Sequence, residues 1–114
     1  MASFMYLFRG NQTPVRSMSP EQMQQVVKKW MDWRNSLEKS GHIQKLGERL
    51  APTGKVVRGR GKAVTDGPYA EAKDIIGGYM VAEADDIDQA VELAKGCPIF
   101  ETDGAVEIRP IMSM

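Results

Sequence analysis

The chain has 114 residues, no formal net charge, 42% hydrophobic residues and 26% charged residues. This length suits a single domain over residues 1–114, which can bury a core without disulfides or metal ions. The neutral, ordinary composition is typical of a compact globular protein and excludes a strongly basic nucleic-acid-binding protein.

Two features of the sequence indicate the cytoplasm. Cys97 is the only cysteine, so no internal disulfide can form, as is usual in a reducing compartment. The apolar run "SFMYLF" follows no basic segment and is too short for a signal peptide or a membrane span. We therefore expect a cytoplasmic protein with no membrane association.

The first predicted element is a strand over residues 3–9, "SFMYLFR". Three aromatic residues at alternate positions occupy one of its faces, and Met5 and Leu7 lie on the other. A strand that is apolar on both faces is typical of the centre of a sheet that is covered on both sides.

A helix is predicted to begin at "SPEQ". Ser19 and Gln22 can form a capping box, and Gly41 is expected to end the helix in the left-handed conformation. Apolar residues along this helix form one stripe, and Arg34 interrupts it. Either the stem of Arg34 lies along the apolar surface while its head reaches solvent, or its charge points at a pocket or a subunit interface. The stripe itself recurs at helical spacing and consists of Met23, Val26, Val27, Trp30, Trp33 and Leu37.

Four further strands are predicted in the middle of the chain. A short strand is expected near residues 43–46, and residues 55–58 and 62–65 form a hairpin around the turn "GRG". A long strand follows over residues 75–84. Its two consecutive glycines indicate a bulge or the close approach of another backbone.

A second helix and a last strand complete the prediction. The helix begins at "ADDIDQ", with Asp85 or Asp86 as its cap, and ends at "GCP". The last strand covers residues 104–109, where apolar and charged residues alternate. The residues of the helix that are predicted to face inward are Ile87, Ala90, Val91 and Ala94.

This order of elements predicts an α+β fold of the ferredoxin-like split βαβ type, an antiparallel sheet with two helices on one face. The other face of such a sheet stays bare. Because the first strand is apolar on both sides, we expect a second copy of the chain to cover that face and form a homodimer.

Charge is unevenly placed along the chain. Residues 1–64 hold 12 Lys/Arg against 4 Asp/Glu, a net +8, and residues 65–114 hold 3 against 11, a net −8. The two halves interleave in one domain with solvated charges, or they provide complementary faces for self-association.

Segments along the whole chain resemble the YCII-related family and, within it, the DGPF-domain branch. They are "TDGPYAEAKD", "GGYMVAEADDIDQAVELAKGCP" and "AVEIRPI", preceded in order by "YLFRG", "SPEQ" and "GERLAP". The resemblance implies a ferredoxin-like subunit that dimerises face to face into an α/β barrel, with a pocket near the Asp-Gly-Pro turn. It also implies a small bacterial family of mostly unestablished function, with some members beside or fused to extracytoplasmic-function sigma factors.

The chain departs from this family at two positions. Tyr69 replaces the phenylalanine of the branch motif and adds a hydroxyl group. Family members carry a His–Asp pair, but the only histidine here is His42, which does not align with the family position. Asp66 keeps the motif's aspartate, so the resemblance implies a catalytic Asp66 without its expected partner.

The candidate site lies around the Asp-Gly-Pro motif. Asp66 can act as a general base or orient a partner, or it can be structural, its carboxylate bonding backbone amides in a turn. Tyr69 is a pocket wall with a polar tip, or a packed aromatic residue. Glu71 and Lys73 share a face of an extended chain and can bind a zwitterionic or anionic ligand, or they form a solvated pair.

Four residues elsewhere complete the candidates. Arg9 and Arg109 each end a strand, and together they can hold a carboxylate or phosphate, or they are solvated strand ends. His42 is a candidate for substrate binding because it titrates near neutral pH, although a surface position is the simpler interpretation. Cys97 is expected to be a small buried apolar group without an activating base.

Cofactors and nucleic acids are not expected. One histidine and one cysteine provide no metal-ligand spacing, so neither a metal nor a cofactor site is predicted. The basic stretch 55–62 lacks interleaved aromatic residues, which argues against nucleic-acid binding.

Two functions stay open. The first is a dimeric small-molecule enzyme or binder whose pocket contains Asp66, Tyr69, Glu71 and Arg9. The second is a non-catalytic accessory or regulatory dimerisation module for a protein partner such as a sigma factor.

Overall fold

The computed structural model describes residues 1–10, 18–67 and 75–113. Within them the chain forms a mixed α+β architecture of six strands and two α-helices. The strands are β1 (Ala2–Arg9), β2 (Ile43–Lys45), β3 (Gly54–Arg58), β4 (Ala63–Gly67), β5 (Ile76–Ala84) and β6 (Ala105–Pro110). The helices are α1 (Pro20–Lys39), α2 (Ile87–Ala94) and a short 3-10 helix (Pro98–Thr102).

Four of these strands form an antiparallel sheet in the order β2-β5-β1-β6. The aromatic first strand is therefore central, as predicted. Leu7 of β1 lies opposite Tyr79 of β5 and Glu107 of β6. Since β1 belongs to the basic half of the sequence and both of its neighbours to the acidic half, the two halves interleave within one sheet.

The other two described strands, β3 and β4, pair with each other in a separate two-stranded sheet. We call this hairpin, residues 54–67, the arm. The radius of gyration of the chain is 15.6 Å, against about 13 Å for a compact domain of this length. The chain is therefore less compact than such a domain.

Local capping sets the helix ends. The Ser19 hydroxyl accepts a hydrogen bond from the Gln22 amide at 3.2 Å, and the Gln22 side chain accepts one from the Ser19 amide at 2.9 Å. This confirms the predicted capping box. Gly41 follows α1 with φ +78°, as its left-handed role requires. Asp86, rather than Asp85, caps α2 by accepting from the Gln89 amide at 2.8 Å.

Both helices pack on the face of the sheet that carries the aromatic residues of β1. The Tyr6 and Trp33 rings stack with centroids 6.5 Å apart, and Phe8 meets Trp30 edge-on at 5.1 Å. Trp33 Nε1 donates to the Leu93 carbonyl at 3.1 Å, which joins α1 to α2. Aromatic pairs in such geometries stabilise a core beyond the area that they bury.

The inward face of α2 differs from the prediction. Ala90 and Ala94 are buried, but Ile87 and Val91 are 44% and 36% exposed, so their predicted inward orientation is wrong. The Tyr6 hydroxyl donates to the Ala90 carbonyl at 2.5 Å and brings the alanine edge of the helix onto the sheet. Leu93, on the same side as the alanines, packs against the core instead.

The segment after β2 lies close to β5, as the paired glycines of that strand predicted. The Tyr79 amide donates to the Glu48 carbonyl at 3.2 Å, and the Leu50 amide donates to the Gly77 carbonyl at 2.9 Å. A Cβ atom on Gly78 would lie 3.0 Å from the Glu48 carbonyl oxygen. Glycine thus permits this approach of two backbones.

Candidate functional site

The face of the sheet opposite the helices carries a cleft. β1 presents Met5 and Leu7 on this face, and β5 presents Tyr79. The cleft has a volume of about 520 Å³ and lies between these strands and the segment that enters the arm. Its apolar lining comes mainly from Met5, Leu7, Leu50 and Ile76, and its polar lining from Arg9, Thr53, Lys55 and Tyr79. An apolar cavity with a few polar groups is the usual form of a small-molecule site.

Arg9 is held at this cleft by an acidic residue of the neighbouring strand. Its Nε donates to the Glu107 carboxylate at 2.7 Å, and Arg109 Nη1 lies 3.5 Å from the other oxygen of the same carboxylate. The two arginines therefore lie near each other, as the topology predicted, with Glu107 between them. This carboxylate fixes the direction in which the Arg9 guanidinium points.

The ion pair sets the titration of Glu107. The hydrogen bond from Arg9 holds the pKa of Glu107 below its ordinary value of 4.5. A carboxyl group with a depressed folded-state pKa stabilises the fold above its unfolded-state pKa. This contribution is lost as the pH falls from about 4.5 through the folded-state value.

We therefore expect Glu107→Gln to lower the free energy of unfolding at pH 7 and to weaken its fall between pH 5 and pH 3. Urea denaturation at both ends of this range measures the effect. Glu101→Gln is the control, because Glu101 pairs with Lys29 at 2.8 Å on the exposed surface, where ion pairs contribute little. Equal changes in the two variants would contradict a special role for the Glu107 pair.

Asp66 lies in strand β4 of the arm and not in a turn. Asp66 and Gly67 are the last residues of β4, opposite Lys55 and Gly54, so the turn predicted at these two residues is wrong. The Asp66 carboxylate pairs with the Lys55 ammonium, and this cross-strand pair extends the hairpin by two residues. The Asp66 side chain is 87% exposed. A catalytic role for Asp66 stays a prediction, although its partner Lys55 lines the cleft.

The other predicted site residues are only partly brought together. Tyr69, Glu71 and Lys73 lie outside the described residues. Arg9 lines the cleft. His42 follows α1, where its Nδ1 lies 2.7 Å from the Glu83 carbonyl oxygen, and it is not part of the cleft lining. The proposed substrate-binding role of His42 stays a prediction.

Sequence reasoning missed three residues of this region, Lys55, Tyr79 and Glu107. Lys55 was assigned to a hairpin strand, and nothing in the sequence places that strand beside β1. Glu107 carried a usable signal, because it shares the charged face of its strand with Arg109, and this strand was predicted to lie near the end of β1 that carries Arg9. Tyr79 follows two glycines whose close approach was predicted, but its face of the sheet was not.

Arg34, whose role the sequence left open, bridges to the segment after β2. Its Nη2 donates to the Leu46 carbonyl at 3.1 Å. This exposed contact anchors the segment to α1 and is compatible with a head that reaches solvent. The alternative, a charge directed at a pocket or a subunit interface, stays a prediction.

A second, shallower groove lies on the outer side of α1. Its volume is about 440 Å³, and its apolar lining consists of Met23, Val27 and Met31, one helical turn apart. Lys28 and Asp32 flank it. Among the residues that the structure describes, those that line the groove all belong to α1, and none of them lines the cleft.

Two buried titratable groups belong to the core and not to the cleft. Burial raises the pKa of Tyr6 and that of Cys97 to about 12. Cys97 is therefore a buried thiol, as predicted, and not an activated nucleophile. In the part of the chain that the structure describes, no group of three or more His, Cys, Asp or Glu residues is arranged to hold a metal ion. Within the same ranges, no helix has the length and apolar character needed to cross a membrane.

Comparison with known proteins gives one family. The family model described as YCII-related domain matches residues 3–114, nearly the whole chain. No curated protein matches the sequence.

Proposed function

Because the chain belongs to the YCII-related family, we propose that it is a homodimeric small-molecule binder whose site is the cleft on the bare face of the sheet. The observation that carries this proposal is the cleft itself, about 520 Å³ in volume and lined by apolar side chains with Arg9 and Lys55 among its polar groups. The motif "TDGPY" supports placement in the DGPF branch. The single buried thiol supports a cytoplasmic location.

The strand order supports the assembly in this proposal. In the order β2-β5-β1-β6, β5 lies between β1 and β2, the strands that precede and follow α1. In the same way, β1 lies between β5 and β6, the strands that precede and follow α2. This order supports the proposal of a ferredoxin-like split βαβ fold. Since both helices cover one face, a second copy covering the other face would close a dimeric α/β barrel.

The lining of the cleft indicates the chemistry of its ligand. Met5, Leu7 and Ile76 provide an apolar floor, which favours a hydrophobic body. Arg9 and Lys55 place two cationic groups in the lining, each paired with one carboxylate of the chain, Glu107 or Asp66. Guanidinium and ammonium groups carry several N–H donors and can bind a second carboxylate as well. The ligand that fits best is a small organic acid with an apolar body.

Fluorescence of 8-anilinonaphthalene-1-sulfonate, an aromatic anion, tests this assignment. We expect the protein to enhance its fluorescence, benzoate to displace it, and neutral benzamide of the same shape to displace it far less. Leu50→Glu, which places a negative charge in the cleft lining, should weaken binding at least about tenfold.

Val27→Glu is the matched control, because Val27 and Leu50 are similarly exposed, at 47% and 44%, and Val27 lies in the groove on α1. If Val27→Glu abolished binding and Leu50→Glu did not, the anion would bind on α1 and the proposed cleft would be rejected. Equal displacement by benzoate and benzamide would reject the cationic part of the site.

The groove on α1 favours a second function, an accessory or regulatory dimerisation module that binds a protein partner such as a sigma factor. Exposed Val27 and Met31, with half-buried Met23, form an apolar stripe of the kind that binds a partner helix. The two functions differ in the surface that matters. Cleft variants affect the first, and variants of the α1 stripe affect the second.

A further inference from the structure

The arm presents an apolar pair that stays exposed among the described residues of one chain. Val57 and Val64 lie directly opposite each other on β3 and β4. Their exposed fractions are 64% and 63%. A two-stranded hairpin is marginally stable by itself in water, so an arm of this kind gains from a surface to pack against.

The arm is also strongly basic. Between residues 54 and 67 it carries Lys55, Arg58, Arg60 and Lys62 against the single acid Asp66, a net charge of +3. The turn residues Gly59 and Lys62 have positive φ angles of 74° and 54°, which place Arg60 at the tip of a tight turn. A surface that matches the arm must therefore be acidic around an apolar centre.

The outer face of α2 has both properties. Ile87 and Val91, one helical turn apart, are its exposed apolar residues. Residues 85–95 carry Asp85, Asp86, Asp88 and Glu92 against Lys95, a net charge of −3. Two valines on the arm and two aliphatic residues on the helix form patches of similar size, and the segments that carry them have net charges of opposite sign.

We propose that the arm of one subunit docks on the outer face of α2 of a second copy of this chain, with Val57 and Val64 against Ile87 and Val91. All four side chains stay exposed within one chain, so the arm does not cover the α2 of its own subunit. Twofold symmetry produces the same contact twice, because each subunit supplies one arm and one helix. The basic tip around Arg60 then lies near the acidic residues of α2.

This contact rests on the proposed homodimer. Two aliphatic pairs bury much less than the roughly 800 Å² per partner of a standard interface. The arm therefore adds to the contact between the two sheet faces and does not replace it. Its contribution is specificity and a slower dissociation of the dimer.

Cross-linking of the full-length protein tests the contact. The variant Val64→Cys/Val91→Cys, in a Cys97→Ala background, is treated with a short bismaleimide at micromolar concentration. We expect most of the protein to shift to twice the mass of one chain on a denaturing gel. The matched control Val64→Cys/Val27→Cys places the second thiol on the outer side of α1 and should stay at the mass of one chain.

The dissociation constant of the dimer provides a second measurement. Val57→Thr/Val64→Thr replaces one methyl group of each valine with a hydroxyl group and keeps the β-branched shape that suits a strand. We expect this variant to raise the dissociation constant in sedimentation equilibrium by about tenfold or more, since the contact occurs twice. Val56→Thr, on the opposite face of β3, should change it less than about twofold.

The outcomes separate this inference from the function on which it rests. A wild-type protein that is monomeric at micromolar concentration would overturn the homodimer and the arm contact together. A wild-type dimer with no Val64–Val91 cross-link and no effect of the threonine variant would overturn the arm contact and leave the homodimer in place. Equal cross-linking in the Val27 control would also overturn it.

Discussion

Replacement of Tyr6 by alanine is expected to lower the free energy of unfolding by about 4 kcal/mol. Tyr6 is fully buried at the centre of β1, and its ring stacks on Trp33. The alanine leaves a cavity between the sheet and both helices and removes the hydrogen bond to the Ala90 carbonyl. Urea denaturation followed by tryptophan fluorescence measures the change, because Trp30 and Trp33 lie in the same cluster.

Tyr6→Phe is the matched control, since it keeps the ring and removes only the hydroxyl group. We expect a loss of about 1 kcal/mol, the usual net contribution of one hydrogen bond. A loss as large as that of the alanine variant would show that the contact with Ala90, and not the packing of the ring, dominates.

Alkaline pH provides an independent measurement on the same side chain. Burial raises the pKa of Tyr6 from 10.0 to about 12, and a raised folded-state pKa means stability that is complete below pH 10 and lost as the pH rises toward 12. Wild type should therefore lose more stability than Tyr6→Phe over this range. Cys97, whose pKa is also raised to about 12, is present in both proteins, so the difference reports the ionisation of Tyr6 together with its repulsion from the Cys97 thiolate.

The second large effect is expected at Gly47. Its φ angle is +73°, and an added Cβ atom would lie 1.7 Å from the Tyr79 carbonyl oxygen. Gly47→Ala combines left-handed backbone strain of about 1 kcal/mol with a clash against a strand of the sheet that cannot move alone. We expect the free energy of unfolding to fall by about 3 kcal/mol or more, with loss of the contact between Glu48 and Tyr79.

Gly59→Ala separates strain from clash. Gly59 has almost the same φ angle, +74°, but no other described atom lies within 4 Å of a Cβ atom placed there. This variant should lose only about 1 kcal/mol. If both glycine variants lost the same amount in thermal or urea unfolding, the close approach of the segment after β2 to β5 would not be the cause.

Features that depend on neighbours in the sequence were predicted well. The capping box of α1 needs only Ser19 and Gln22, and the left-handed end needs only Gly41, so each follows from a few adjacent residues. The central position of β1 followed from its own composition, because a strand that is apolar on both faces is typical of the centre of a sheet. These predictions required no knowledge of the rest of the chain.

Features set by distant contacts were not predicted. The helical spacing of α2 allowed Ile87 and Val91 to face inward, but the hydrogen bond between Tyr6 and Ala90, residues of distant elements, turned Leu93 inward instead. The sequence Asp-Gly-Pro assigned Asp66 to a turn, whereas its pairing with Lys55 keeps Asp66 in strand β4. The cleft was not predicted for the same reason, since residues from β1, β5 and the entry to the arm, which are distant in the sequence, line it together.

The central position of β1 also has a consequence for how the protein is made. β1 is synthesised before the other described strands, yet one of its two partner strands, β6, contains Pro110, which lies opposite Phe4. At about 5–20 residues per second, the ribosome needs roughly 5–20 seconds to bridge this separation. During that time the apolar side chains of β1 cannot be buried in a complete sheet. The nascent chain is thus most prone to aggregate, and most dependent on chaperones, before its last strand has emerged.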